Sequence, residues 1–143
     1  MLFLGADHAG YRLKEKIKKY LDAKMIKYQD IGVFSDKRKV DYPDYAFLVS
    51  KKVAKSKNNR GILICYTGTG MCIAANKIKH IRAIYAPDVK TARDGRQHND
   101  ANILCLASHY TKIDVAKKII NTWLTTPFDK IERRIRRNKK LDK

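Results

Sequence analysis

Cysteine is scarce in this 143-residue chain, with Cys65, Cys72 and Cys105 the only three. They form no CxxC pair, and an odd number leaves a thiol over under any pairing, which excludes a disulfide framework and points to a reducing cytoplasm. Three prolines and seven glycines are too few for a linker-rich or fibrous chain. No apolar run approaches the roughly 18 residues of a membrane span, so no membrane anchor is expected. The N-terminus, Met1-Leu2-Phe3-Leu4-Gly5-Ala6-Asp7-His8, is too short and too soon acidic for a signal peptide. Acid is the other shortage: Asp+Glu 14 against Lys+Arg 32 leaves a net charge of +18 and a pI of about 10.0.

What is present is globular. A hydrophobic share of 44% is too high for a disordered chain, and the length fits one domain over residues 1–143, with residues 127–143 as a basic C-terminal helix and tail. That tail carries eight Lys/Arg from residue 128 onward against Asp129, Glu132 and Asp142. The remaining excess is spread along the body, mostly as lysine on expected helix surfaces, and reads as a solvated coat. The charge admits nucleic acid, a membrane surface or a phosphorylated small molecule as partner, and composition alone does not choose among them.

Apolar runs alternate with amphipathic stretches. Strands are expected at Leu2–Ala6, Met25–Ile31, Gly61–Cys65, Ile81–Tyr85 and Asn102–Leu106. Helices are expected around Leu13, Ile17, Tyr20 and Leu21, from Pro43 through Val53, over Ile73–Lys77, over Pro87–Arg96, and around Val115, Ile119, Ile120 and Trp123 until Pro127 breaks the last. Five strands alternating with helices predict an α/β fold: a three-layer αβα sandwich on a five-stranded parallel sheet, Rossmann or flavodoxin-like, in the order 2-1-3-4-5. In such sheets a ligand sits at the carboxyl ends of strands where the order reverses. The loops there are Gly5-Ala6-Asp7-His8-Ala9-Gly10 and Cys65-Tyr66-Thr67-Gly68-Thr69-Gly70.

The second loop is a glycine-containing turn feeding a helix, an arrangement that holds a phosphate or a developing oxyanion on free backbone amides. The same surroundings suit Cys65 as a thiolate base or nucleophile, although cysteine at a strand end is also a common small buried hydrophobe. A dinucleotide fingerprint fails, because the third glycine would fall on Ile73, and no Walker lysine follows Gly70. Asp7 and His8 are placed to contact a ligand, or else Asp7 caps a helix beside a solvated histidine. His98, in Arg96-Gln97-His98-Asn99-Asp100, is poorly explained by packing and suits general acid–base work. His80 reads as compensation of a helix dipole, and His109 follows the last strand at the edge that would face a ligand. His8, His98, His109 and Asp7 lack the short spacing of a structural metal site, so no metal set emerges. Arg133 and Arg137 share a helix face and fit a phosphate, while a disordered or RNA-attracting basic end explains them slightly better from the sequence alone.

Together these motifs resemble the sugar-phosphate isomerase family of ribose-5-phosphate isomerase B and the galactose-6-phosphate isomerase subunits. The likeness runs nearly end to end: Gly5 to Gly10, Asp41-Tyr42-Pro43-x-Tyr45-Ala46, Ile64-Cys65 through Ile73-Ala74-Ala75-Asn76-Lys77, Arg96 to Asp100, and Pro127-Phe128-Asp129-Lys130-x-x-Arg133. The resemblance implies an aldose–ketose isomerase of the pentose phosphate pathway, interconverting ribose 5-phosphate and ribulose 5-phosphate through an enediolate, without cofactor or metal. On that footing Cys65 is the base, and Thr67 with the amides from Tyr66 through Gly68 to Gly70 stabilises the enediolate. His98 helps to open the ring, Asp7 and Tyr42 contact the sugar, and His8, Arg133 and Arg137 hold the phosphate. The resemblance also implies a homodimer with shared sites, His98 and Asn99 coming from the partner chain, with pairing into a tetramer left open.

Three positions depart from the family pattern. Tyr66 stands where relatives usually have glycine, Cys72 replaces a usual serine or another residue, and His109 replaces an arginine of the phosphate grip. The nearest alternative substrate is a six-carbon phosphosugar such as galactose 6-phosphate or allose 6-phosphate. A nucleic-acid-binding protein on the same fold fits less well, because surface aromatics that would stack bases along a basic groove are lacking.

Overall fold

The computed structural model describes residues 1–142; Lys143, the end of the expected tail, lies outside them. In chain order the elements are β1 (Leu2–Ala6), α1 (Tyr11–Ala23), β2 (Tyr28–Asp30), α2 (Tyr42–Val53), β3 (Arg60–Cys65), α3 (Thr69–Ala75), β4 (Ala83–Tyr85), α4 (Val89–Asn99), β5 (Ile103–Ala107), α5 (Ile113–Thr125) and α6 (Glu132–Leu141). The five strands form one parallel sheet. Strands β1, β3 and β5 are its centre, and their apolar runs are continuous because both faces are covered.

Alternation along each central strand sends side chains to opposite faces. Leu2, Leu4, Ile62, Ile64, Leu104 and Leu106 join Leu13, Ile17 and Leu21 of α1 with Ile119, Ile120 and Trp123 of α5. Phe3, Leu63, Cys65, Ile103 and Cys105 face the other way, onto Val49 of α2 and Met71 of α3. Helices α1, α4 and α5 therefore cover one face and α2 and α3 the other, giving the expected three layers.

The order is β2-β1-β3-β5-β4, not the expected 2-1-3-4-5. The burial of the two strands accounts for the exchange: β5 is buried at all five residues, whereas β4 has three, with Ile84 and Tyr85 only half covered. The more apolar strand takes the interior position and the shorter one the edge. The reversal between β1 and β3 is unaffected, so their two loops meet as expected.

Boundaries moved for local reasons. Met25 closes α1 in a left-handed conformation at φ 54°, and the Ile26 amide turns back to the Leu21 carbonyl at 2.9 Å. That leaves only Tyr28–Asp30 of the expected second strand. Asp88 caps α4 by accepting from the Thr91 amide at 2.7 Å, so this helix starts after Pro87 and runs on through His98 and Asn99. His80 is not at a helix end; α3 stops at Ala75, and His80 lies in the following turn with a left-handed φ of 66°. Not all of the lysine is surface coat either: Lys14 is fully buried. Its Nζ lies 2.6 Å from Asp30, and Lys18 reaches the same carboxylate at 2.9 Å.

Candidate active site

The β3–α3 turn is built around a sulfur. Cys65 ends the strand, 4% exposed, and its Sγ accepts a hydrogen bond from the Gly68 amide at 3.2 Å. Gly68 adopts φ 76°, a left-handed conformation natural to glycine, and serves as N-cap of α3. The first α3 amide to bond back is that of Cys72, donating to the Gly68 carbonyl at 3.1 Å. The amides of the turn before it project from the helix end, where an oxyanion can meet them. The Thr67 hydroxyl accepts from the Thr69 amide at 3.4 Å.

The neighbouring loops close around this turn. The Asp7 amide donates to the Ile64 carbonyl at 3.2 Å, and the Asp7 carboxylate accepts from the Gly10 amide at 2.9 Å. Burial pushes the Asp7 carboxyl above its usual range, against the lowering effect of that amide. His8 accepts from the Val40 amide on Nδ1 at 3.2 Å. The neutral ring then carries its proton on Nε2, a donor available to an anion. The Tyr42 ring at the start of α2 lies against Gly70, where a methyl group would come within 2.8 Å of it. From β5, the Ser108 and His109 amides donate to the Cys65 and Tyr66 carbonyls at 2.9 and 3.1 Å. The His109 and Tyr66 rings stack with centroids 4.2 Å apart. Asp7, His8, Tyr42, Cys65, Tyr66, Thr67, Gly68, Gly70 and His109 thus share the carboxyl edge of the sheet.

His98, Asn99, Arg133 and Arg137 do not join them within this chain. Helix α4 runs back across the sheet and delivers His98 and Asn99 to its opposite edge, one β5 length away, roughly 16 Å at about 3.3 Å per residue. The Asn99 carbonyl accepts there from Arg82 Nε at 2.9 Å. The end of α4 also holds α6: Arg134 donates to the Gln97 carbonyl at 3.4 Å, leaving Arg133 and Arg137 exposed. The expected site residues therefore fall into two halves at opposite edges of one chain.

Two features escaped the sequence reading. Cys105 lies fully buried in the same core face as Cys65, and burial pushes its thiol well up, with Cys72 and Cys65 adding to the effect. The other is the Lys14–Asp30 pair. Asp30 accepts from the Gly32 amide at 2.9 Å, and Gly32 and Val33 bond Ala6 at 2.7 and 2.8 Å, which anchors the segment leading to Val40 and His8. Lys14 was legible in principle, since it falls one residue after Leu13 and three before Ile17, inside the apolar stripe of α1.

The fold is a doubly wound α/β sheet with an amide-capped thiol at its switch point, where the ligands of such sheets bind. Residues 2–141 match the family model described as Ribose/Galactose Isomerase, and the chain belongs to that family. It is 40% identical over 125 residues to ribose-5-phosphate isomerase B of Escherichia coli, covering 87% of this chain and 83% of that one. The crystal structure of a ribose 5-phosphate isomerase from Thermotoga maritima superposes with a TM-score of 0.94 at 42% identity, over 99% of this chain and 96% of that one. Ribose-5-phosphate isomerase B from Mycoplasma genitalium, solved with bound ribulose-5-phosphate, gives 0.93 at 40% identity, over 99% and 93%. Among the described residues, no helix is long and apolar enough to cross a membrane.

Proposed function

We propose that this chain is an aldose–ketose isomerase that interconverts ribose 5-phosphate and ribulose 5-phosphate. The observation that carries the reading is the Cys65–Gly68 turn: a buried sulfur facing an amide, beside a helix end whose remaining amides can meet a developing oxyanion. The M. genitalium relative, solved with ribulose-5-phosphate, supports the substrate.

In this reading Cys65, as thiolate, removes the C2 proton of the open-chain aldose and returns it to C1. The electron pair released at C2 passes into an enediolate, whose charge is met by Thr67 and the free amides of the Tyr66–Gly70 turn, and the hydroxyl proton on O2 passes to O1 as C2 becomes the carbonyl. Asp7 and Tyr42 contact the sugar hydroxyls, and His8 donates to the phosphate. His98 and Asn99, with Arg133 and Arg137, come from a second copy, because their own chain holds them at the wrong edge. The active unit is accordingly a homodimer with shared sites, folded as one domain and working in the reducing cytoplasm, where all three thiols stay free as they are here.

The test is ribose 5-phosphate turnover by wild type and Cys65→Ala. Loss of a general base is expected to lower kcat by roughly 10²–10⁴-fold. Equal rates would overturn the assignment of Cys65.

A further inference from the structure

A large cleft lies away from the carboxyl edge. It lies at the opposite edge, between the inner face of α6 and the starts of β3 and β5, with a volume of about 740 Å³, within the range of small-molecule sites. Six cations line it: Lys55, Lys57, Arg60, Arg82, Arg96 and Lys139. Its carboxylates are Asp100 and Asp142.

Those two acids are already engaged. Arg82 holds Asp142 at 3.0 Å and Asp100 at 3.1 Å, and Arg96 holds Asp100 at 2.8 Å. Arg60 is different. Its Nη1 donates to the Trp123 and Leu124 carbonyls at 3.4 and 2.8 Å, and its guanidinium lies 5.5 Å from the Trp123 ring centroid. Among the described residues no carboxylate pairs with it, and Nε and Nη2 meet no acceptor. Burial and the nearby charge of Arg96 weaken its hold on its proton, against the opposing charge of Asp100. Lys55, Lys57 and Lys139 likewise form no ion pair among the described residues.

A second group points the same way with different chemistry. Asn138 is 7% exposed and lines the cleft, yet its Oδ1 has no hydrogen-bond partner. A buried acceptor left empty costs free energy; the Asn138 Oδ1 has no accessible surface of its own, so a ligand hydroxyl relieves it only when the side chain turns toward the cleft. A fixed guanidinium without a carboxylate partner, beside exposed lysines, suits a phosphate; an orphan carbonyl beside them suits a hydroxyl.

We propose that this cleft is a second ligand site, taking a small phosphate monoester that carries free hydroxyl groups. The phosphate lies against Arg60 with Lys57 and Lys139, and a hydroxyl donates to Asn138 once its side chain has turned toward the cleft. Asn138 also donates to the His98 carbonyl at 3.5 Å through Nδ2, so an occupant touches the helix end that carries His98.

The test is a titration of the full ¹⁵N-labelled chain with sn-glycerol 3-phosphate, with inorganic phosphate and with a short single-stranded RNA, followed by amide and side-chain NMR shifts. Saturable shifts of Asn58, Asn59 and Asn138 by glycerol 3-phosphate are expected, with weaker binding of inorganic phosphate. The double variant Lys57→Ala, Lys139→Ala, altered only at exposed positions, is expected to bind roughly tenfold more weakly. Arg60→Met, checked for folding by its urea transition, is expected to bind more weakly still. No saturable shift in the cleft, or equal affinity in wild type and the lysine variant, overturns the site. Equal affinity for phosphate and its glycerol ester overturns the hydroxyl contact, and a preference for RNA with a steep salt dependence makes the cleft a nucleic-acid surface instead. Shifts at Gly68 and Gly70 report the proposed catalytic turn separately, so the two sites stand or fall independently.

Discussion

The Tyr66 and His109 rings lie face to face, 4.2 Å between centroids and 21° between planes, with Tyr110 meeting His109 edge-on at 4.9 Å. Both members of the stack sit at positions where the resemblance leads one to expect glycine and arginine, and both are exposed beside Cys65. The stack occupies space at the mouth of the proposed site that glycine would leave open. Tyr66→Gly is expected to raise kcat/KM for allose 6-phosphate relative to ribose 5-phosphate by roughly tenfold, the discrimination one steric contact supplies. Because an exposed aromatic pair contributes about 1 kcal/mol, stability should change little. An unchanged substrate ratio means that the stack has no part in selectivity.

The separation of His98 from Cys65 makes a sharper demand. If each site draws its base from one chain and its ring-opening histidine from another, two dead variants can restore one another. Mixed dimers of Cys65→Ala with His98→Asn contain one wild-type site and one doubly defective site. Random reassortment of equal amounts should return about a quarter of wild-type activity, as two-fold symmetry dictates. Mixtures no more active than their components would show that no site is shared.

How much of this was legible beforehand follows burial. Strands β1, β3 and β5 were readable nearly to the residue because two covered faces demand unbroken apolar runs. The edge strands were overextended: nothing in Met25 announces its left-handed turn, and Ile81 and Arg82 carry apolar or long side chains without joining β4. The exchange of β4 and β5 depends on which run is buried more completely, a tertiary property. At the site, the turn from Cys65 to Gly70 was legible as local chemistry, since a glycine-rich turn feeding a helix uses only neighbours in sequence. The distance from His98 to Cys65 was not, because it depends on the direction in which α4 crosses the sheet. Lys14 was misread as surface because composition counts lysines without their helical phase.

Gly10 holds the two loops together. A Cβ at this position would sit 2.3 Å from the Ile64 carbonyl oxygen, a backbone atom that cannot swing aside. Its backbone is ordinary, at φ −84° and ψ −13°, so the constraint is close approach rather than conformation. Gly10→Ala is expected to cost roughly 1–3 kcal/mol, the range for overpacking, and to displace Asp7 and His8 from Cys65. Urea unfolding reads the first effect and the KM for ribose 5-phosphate the second. A fully stable, fully active variant would mean that the loop yields without consequence.

The Lys14–Asp30–Lys18 cluster makes stability depend on pH on the acid side. Burial alone would raise the Asp30 carboxyl, but hydrogen bonds from Lys14, Lys18 and the Gly32 amide outweigh it and hold the group below its usual 3.8. A carboxylate depressed in the folded state contributes stability that is present above the unfolded value and is lost as pH falls through the folded one. Wild type should therefore lose stability progressively below about pH 4, and Asp30→Asn should flatten that part of the profile. Asp30→Asn also strands Lys14, whose side chain is fully buried, and breaking such a pair from one side costs about 3 kcal/mol. The double variant Lys14→Met, Asp30→Asn removes both charges and should recover part of that loss, because the buried ammonium no longer lacks a partner. Urea transitions between pH 3 and pH 7 separate the two effects. An Asp30→Asn profile that falls below pH 4 as steeply as wild type would assign the acid sensitivity to other carboxylates.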